Sequence, residues 1–255
     1  MSEVVLHCEK ITQRFSGLIA VSDVTMDIYQ NEIVGVIGPN GAGKTTLFND
    51  ITGIYRPTEG TVTFAGEDIT GLAPHKITAK GMTRTFQNIR LFDNMMVLDN
   101  VLVGLHSANK ASIVESMLRL PRDRREEKES LRRAEEVLEL TGLYEYRYNY
   151  ANSLPYGLQR RLEIARALAS RPKLILLDEP AAGMNEQETS ELLVFIQQLK
   201  KMGNTIILIE HNMRLVMNLC DRIYVLDHGM LIANGTPDEV RSNPQVITAY
   251  LGEEV

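Results

Sequence analysis

Cysteine is scarce: Cys8 and Cys220 are the only two in 255 residues. That is too few for a disulfide framework, and a reducing cytoplasm with both thiols acting as small buried hydrophobes is the natural reading. Long apolar runs are missing too. No stretch reaches the ~18 residues that a membrane span requires, and no basic segment followed by an apolar run opens the chain, so no signal peptide is expected. Any membrane association is therefore expected to go through a partner. Positive charge is not in excess, and a formal net charge of −6 argues against nucleic acid as the main partner. Internal repeats, low-complexity linkers and sustained heptads are absent as well. What remains is an ordinary globular balance, 44% hydrophobic and 24% charged. The length is enough to bury a sizeable core, as one large domain with or without a subdomain.

The most informative segment is Gly38-Pro39-Asn40-Gly41-Ala42-Gly43-Lys44-Thr45-Thr46, a complete G-x-x-x-x-G-K-T phosphate loop. Its glycines let consecutive N–H groups turn inward around a polyphosphate, and the next helix aims its positive dipole end at the same point. Lys44 reaches the β- and γ-phosphates, and the Thr45 hydroxyl is placed to ligate Mg²⁺. The setting agrees, with Ile33–Ile37 reading as a buried strand and Lys44–Asp50 as a helix opening. The chain is expected to bind a nucleoside triphosphate.

Around this loop the chain reads as α/β. Val4–His7 and the β-spaced Val21, Val24, Met26 and Ile28 precede it. The turn Pro57-Thr58-Glu59-Gly60 then leads into Thr61–Phe64 and a second turn at Gly66-Glu67-Asp68. These segments predict an antiparallel β layer. From Val97 to about Ala169 the pattern is helical. Arg122 to Glu136 is dense in mixed charge, and Leu131, Val137, Leu138 and Leu140 are its expected buried positions. After that, Leu174–Leu177 reads as a fully covered strand. A helix at Glu186–Lys201, a strand at Thr205–Ile209 and a helix at Met213–Leu219 follow. The strand Ile223–Leu226 then turns at His228-Gly229 into Met230–Ala233.

Asp178-Glu179 closes the strand ending at Leu177. A carboxylate there, near a phosphate loop, suits Asp178 to an Mg²⁺–phosphate complex. Glu179, one residue on, is placed to polarise an attacking water. In isolation an Asp-Glu pair before Pro180 is a solvated turn; beside a full phosphate loop it gains chemistry.

The order of phosphate loop, Gln87 in Arg84-Thr85-Phe86-Gln87, Leu154-Pro155-Tyr156-Gly157-Leu158, Asp178-Glu179-Pro180 and His211 resembles the ATP-binding subunit of ABC transporters over almost the whole chain. The resemblance implies a P-loop (RecA-like) α/β core with an antiparallel β subdomain. It also implies one domain over 1–255, with an inserted helical subdomain at about 88–169 and a C-terminal helical extension at about 236–255. It implies that Phe15 stacks on adenine, although a Phe there is equally a packed strand residue. Gln87 touches Mg²⁺ and the attacking water and couples them to the membrane partner. His211 contacts the γ-phosphate, and Ala181–Asn185 communicate across a dimer. The resemblance further implies two ATP molecules sandwiched between this chain and a second, similar ATPase in a heterodimer, with a homodimer as the alternative in isolation.

Two positions depart from the family pattern. Its signature is usually Leu-Ser-Gly-Gly-Gln, whose serine and glycine amides grip the γ-phosphate of the opposite subunit. Pro155 offers neither hydroxyl nor N–H, so that grip is weakened, while the Gly157 amide and the helix start can still face a phosphate. Asn185 stands where the family usually has Asp, and an amide hydrogen-bonds without supplying charge.

Subgroup features narrow the resemblance. Tyr156-Gly157, Arg160–Arg166, Asn234-Gly235-Thr236-Pro237, Ala249–Glu253 and Arg84–Phe92 are similar to branched-chain amino-acid importer ATPases. Relatives for urea uptake or lipopolysaccharide export share much of this. The helical insertion from Ser107 to Arg125 favours the importer over the lipopolysaccharide system. The implied setting is peripheral, on the cytoplasmic face of the inner or plasma membrane. The implied partners are two permease subunits and, indirectly, an extracytoplasmic solute-binding protein. In the family, Ile89–Val97 helps receive the coupling helix of the membrane subunit; Met95 and Met96 suit such a groove or the subdomain core equally. The other classes are a non-transport mechanochemical ATPase, which usually has tandem units or long coiled coils, and a P-loop kinase, which needs a phosphoacceptor pocket.

Overall fold

The computed structural model describes residues 3–106 and 121–251. Two sheets and a set of helices enclose two apolar layers. The first sheet is antiparallel, in the order β2-β1-β4-β5, from β1 (Val4–Phe15), β2 (Leu18–Tyr29), β4 (Glu59–Phe64) and β5 (Glu67–Asp68). The first two strands run longer than the short β segments predicted from sequence. Shifts of register along their pairing let the hydrophobic alternation break without ending the ladder. The predicted turn at Pro57–Gly60 likewise ends early, since Glu59 already opens β4.

The second sheet has the order β10-β9-β3-β8-β7-β6. Its strands are β3 (Ile33–Ile37), β6 (Met82–Arg84), β7 (Leu174–Asp178), β8 (Thr205–Ile209), β9 (Arg222–Asp227) and β10 (Met230–Gly235). All are parallel except β10, which pairs antiparallel to β9 at the edge. Every residue of β3, β7 and β8 is buried, as a parallel sheet covered on both faces demands. The strand period sorts these residues. Val34, Val36, Leu176, Ile207 and Ile209 face one core, which they share with the antiparallel sheet and with Leu47, Phe48 and Ile51 of α1 (Lys44–Ile51). Ile33, Ile175, Leu177, Ile206 and Leu208 face the other, against helices.

Those helices are α3 (Val97–His106), α4 (Pro121–Leu140), α5 (Tyr156–Ala169), α6 (Glu186–Lys201) and α7 (Met213–Leu219); a short α2 (Pro74–Ala79) precedes β6. The C-terminal side carries α8 (Pro237–Arg241) and α9 (Pro244–Leu251), whose Val240 and Val246 join the helical core. On α4 the buried face differs from the sequence reading. Ala134, Val137 and Leu138 are buried, but Leu131 is 40% exposed. Leu131 lies on the same face, one turn before Ala134, so the packed stripe begins only at Ala134. Most of the Ser107–Arg125 insertion, and the last residues of the C-terminal extension, lie outside the described residues. Among the described residues no helix is long and apolar enough to cross a membrane. Cys8 and Cys220 are both buried, as expected.

One buried acid sits in α1. Asp50 is 2% exposed, and its Oδ2 has no hydrogen-bond partner. With the Gln13 amide turned so that its nitrogen faces the carboxyl, that nitrogen reaches Oδ1 at 3.0 Å. Burial pushes the Asp50 pKa up to about 7. An acid raised in this way keeps its proton in the folded chain and loses it near pH 4 in the unfolded one. Folding stability therefore declines as pH rises from about 4 to about 7, then levels off. Asp50→Asn is expected to melt a few degrees higher than the wild type at pH 8, with the gap closing toward pH 5. A pH-independent gap in thermal melts would contradict this.

Candidate active site

The phosphate loop leaves the carboxyl end of β3, which lies between β9 and β8, the edge of an open α/β sheet where ligands bind. Two of its glycines are required by close backbone approach. A Cβ on Gly38 (φ +150°) would lie 2.0 Å from the Leu226 carbonyl oxygen, and one on Gly43 (φ +96°) 2.4 Å from that of Ala20. Gly43 is also the N-cap of α1, so the helix opens directly at Lys44 with Thr45 and Thr46 in its first turn. Gly41 is in the left-handed region, and Ala42 is buried and accepts the Gly229 N–H. Lys44 is 8% exposed, and its Nζ donates to the Gly38 and Pro39 carbonyls at 2.6 and 2.7 Å. Its charge is thus held over the loop's own backbone.

The acidic and polar residues meet at the ends of the neighbouring strands. Asp178 ends β7, and Glu179 follows with its N–H donated to Ile209 O of β8 at 3.0 Å. Gln87 Nε2 donates to Glu179 Oε2 at 2.8 Å, and His211 Nδ1 lies 3.8 Å from the same oxygen. Two residues drawn from separate segments of the sequence, Gln87 and His211, therefore converge on the Glu179 carboxylate. Phe15 ends β1 with 37% exposure and meets Tyr55 edge to face, centroids 5.3 Å apart. It is not buried in the β layer. Gly157 stands apart from the phosphate loop, lining a small cavity of about 80 Å³ with Leu158, Arg161, Met184, Glu188 and Leu192.

Comparison with known proteins matches this arrangement. Residues 21–182 fit the model of the ABC transporter family, and residues 230–255 that of the branched-chain amino acid ATP-binding cassette transporter. The chain belongs to the ABC transporter ATPase family. It is 49% identical to the high-affinity branched-chain amino acid transport ATP-binding protein LivG of Salmonella typhimurium, over 99% of this chain and 100% of that protein. Identity to the corresponding BraF of Pseudomonas aeruginosa is 46%, over 99% and 100% of the two chains. A solved ABC transporter cassette in its ADP conformation superposes with a TM-score of 0.86 at 32% identity, covering 98% of this chain and 100% of that one.

As an ABC ATPase the chain binds nucleotide, and side chains beyond the expected set shape its site. Arg84 is the first. Its Nη2 donates to Asp178 Oδ2 at 2.7 Å, and its Nη1 to Asn49 Oδ1 and Thr52 Oγ1 at 2.8 and 3.0 Å, with both ion-pair side chains 7% exposed. It thereby joins α1 to the end of β7 three residues before Gln87. Arg160 is the second. Fully buried, it donates to the Phe86 and Gln87 carbonyls, each at 2.7 Å, and to Glu163 Oε2 at 2.8 Å. Glu163 Oε1 accepts the Phe86 and Arg90 N–H groups, both at 3.4 Å. The helix after the signature thus grips the segment carrying Gln87 from inside. An Arg and a Glu three apart on a helix otherwise read as a surface pair. Only burial reveals their role.

Asn185 has a local reason. It is the N-cap of α6, its side chain accepting the Glu188 N–H at 2.9 Å while Glu188 returns a bond to the Asn185 N–H at 3.0 Å. This capping box needs an acceptor at the cap, and Asn serves as well as Asp. Beside the Gln87 segment lies a groove of about 480 Å³, lined by Phe86, Arg90, Phe92, Gly104, Glu163 and Arg166. Neither Met95 nor Met96 lines it, and Met96 is 37% exposed, so that residue is not core.

Proposed function

We propose that this ABC ATPase powers uptake of branched-chain amino acids, working at the cytoplasmic face of the membrane as a peripheral subunit. The observation that carries the solute assignment is an identity of 49% that runs the full length of a branched-chain amino acid transport ATPase. The fit of residues 230–255 to the branched-chain family model supports it. A second homologous ATPase, two permease subunits and an indirectly engaged solute-binding protein complete the assembly. The groove beside Phe92, lined by apolar and charged side chains together, suits an amphipathic helix from the permease. The segment from about 88 to 169 is taken as a helical subdomain, and the segment from about 236 as an extension of the same single domain. Both share one continuous core with β7 and β8.

For the chemistry, the loop from Gly38 to Thr46 cradles the phosphates with its amides and Lys44, and Phe15 stacks on the base. Glu179 accepts the proton of the attacking water, Gln87 orients that water, and His211 reaches the γ-phosphate. Mg²⁺ is a hard cation that takes oxygen ligands and is bound by one or two protein groups besides phosphates and water. Thr45, Gln87 and Asp178 offer an oxygen donor set of that kind, and among the described residues no denser acidic or thiol cluster competes for a metal. These three would hold the ion, which supplies charge neutralisation on the phosphates when bound. The signature around Gly157 faces the ATP of the partner.

Affinity isolation of the full-length chain from membranes tests the transporter assignment. Integral-membrane subunits are expected to copurify. Recovery with ribosomes or DNA instead would favour a mechanochemical ATPase and overturn it.

A further inference from the structure

Glu210 follows the last residue of β8, and none of the roles above uses it. Its side chain is 1% exposed. A buried carboxylate requires donors, and the Ala181 N–H supplies one, 2.9 Å from Oε1. Burial still pushes its pKa above the ordinary value, with the nearby Glu179 charge acting the same way.

That bond links the two reacting segments. Ala181 lies two residues after Glu179, and Glu210 directly precedes His211. Glu179 itself has φ +45°, a left-handed conformation that is strained for a residue with a side chain and persists only when its surroundings impose it. Three hydrogen bonds impose it here. The Glu179 N–H goes to Ile209 O at 3.0 Å, the Ala181 N–H to Glu210 Oε1, and the Ala182 N–H closes the turn onto Glu179 O at 3.1 Å. Of the three acceptors, only the Glu210 carboxylate is a side chain.

We infer that Glu210 is a positioning residue for ATP hydrolysis: it pins the turn after Glu179 to the segment bearing His211, and so fixes where the Glu179 carboxylate points. This role presupposes Glu179 as the base. It depends on the reach of the Glu210 acceptor and not on its charge, and two substitutions separate these. Glu210→Gln keeps the acceptor oxygen at the same distance and removes the charge. Glu210→Asp keeps the charge and draws the acceptor back by one methylene.

Steady-state ATP hydrolysis by the assembled transporter is measured against ATP concentration, alongside equilibrium binding of a fluorescent ATP analogue and thermal melting. Glu210→Gln is expected to keep kcat within about twofold. Glu210→Asp is expected to lose roughly tenfold or more in kcat, as small misplacements of a catalytic group do, with KM and analogue binding changed by less than about twofold. The reverse ranking, equal losses in both variants, or a KM that rises in step with the fall in kcat would overturn the role. Persistent hydrolysis in Glu179→Gln would instead remove the base assignment, whatever the ranking at Glu210.

Discussion

Glu179→Gln is expected to stop turnover while leaving ATP binding intact. The replacement is nearly isosteric and keeps an oxygen to accept the Gln87 Nε2 bond, now 2.8 Å long. What it removes is the ability to take a proton. A positioned general base contributes about 10²–10⁴-fold to rate, and hydrolysis by the assembled transporter should fall by that order. Nucleotide titration should show affinity within a few-fold of the wild type, because the phosphate loop is untouched. Undiminished hydrolysis in the assembled transporter would remove Glu179 from the base role.

The second large effect is at Lys44. Its ammonium is 8% exposed and already tethered to two loop carbonyls, so it meets a phosphate with little side-chain entropy left to lose. Hydrogen bonds to a charged group contribute about 1.5–3 kcal/mol each, and Lys44→Ala should weaken ATP binding by roughly tenfold to a hundredfold on that basis. The loss should also be asymmetric within the dimer. Pro155 is the N-cap of α5 and makes no side-chain cap bond; lacking an N–H and a hydroxyl, it would grip a partner's ATP poorly in the proposed assembly. In the proposed assembly the ATP held by Lys44 would be closed by the partner's signature and would carry more of the cycle. Lys44→Ala in this chain should therefore cost more transport than the equivalent change in the partner ATPase. Equal losses would count against the asymmetry.

Much of this architecture is legible in the sequence because local signals and tertiary demands agree. Ile33–Ile37, Leu174–Leu177 and Thr205–Ile209 are short apolar runs, and all three are strands buried on both faces. Glu186–Lys201 has the acidic first turn and basic last turn of a helix, and the helix spans those residues. The phosphate loop announces itself because its chemistry is built from consecutive residues. Other features are hidden because they are made by contacts distant in the chain. Arg84 meets Asp178 across 94 positions, and Arg160 meets Phe86 across 74; nothing local marks either. Leu131 misleads for the opposite reason, since an apolar residue on a charged helix reads as buried until the packed face is known. Glu210 looks like any polar residue ending a strand until its near-complete burial is seen.

The central claim is that ATP bound at Lys44 drives branched-chain amino acid import, and uptake of labelled leucine tests it most directly. Cells whose transporter carries either the wild-type chain or Lys44→Ala are compared, with urea uptake and lipopolysaccharide export followed in parallel. Leucine uptake should fall to background in Lys44→Ala, wild-type uptake should be competed by isoleucine and valine, and the other two activities should not change. Leucine uptake that continues at the wild-type rate in Lys44→Ala cells would contradict the account.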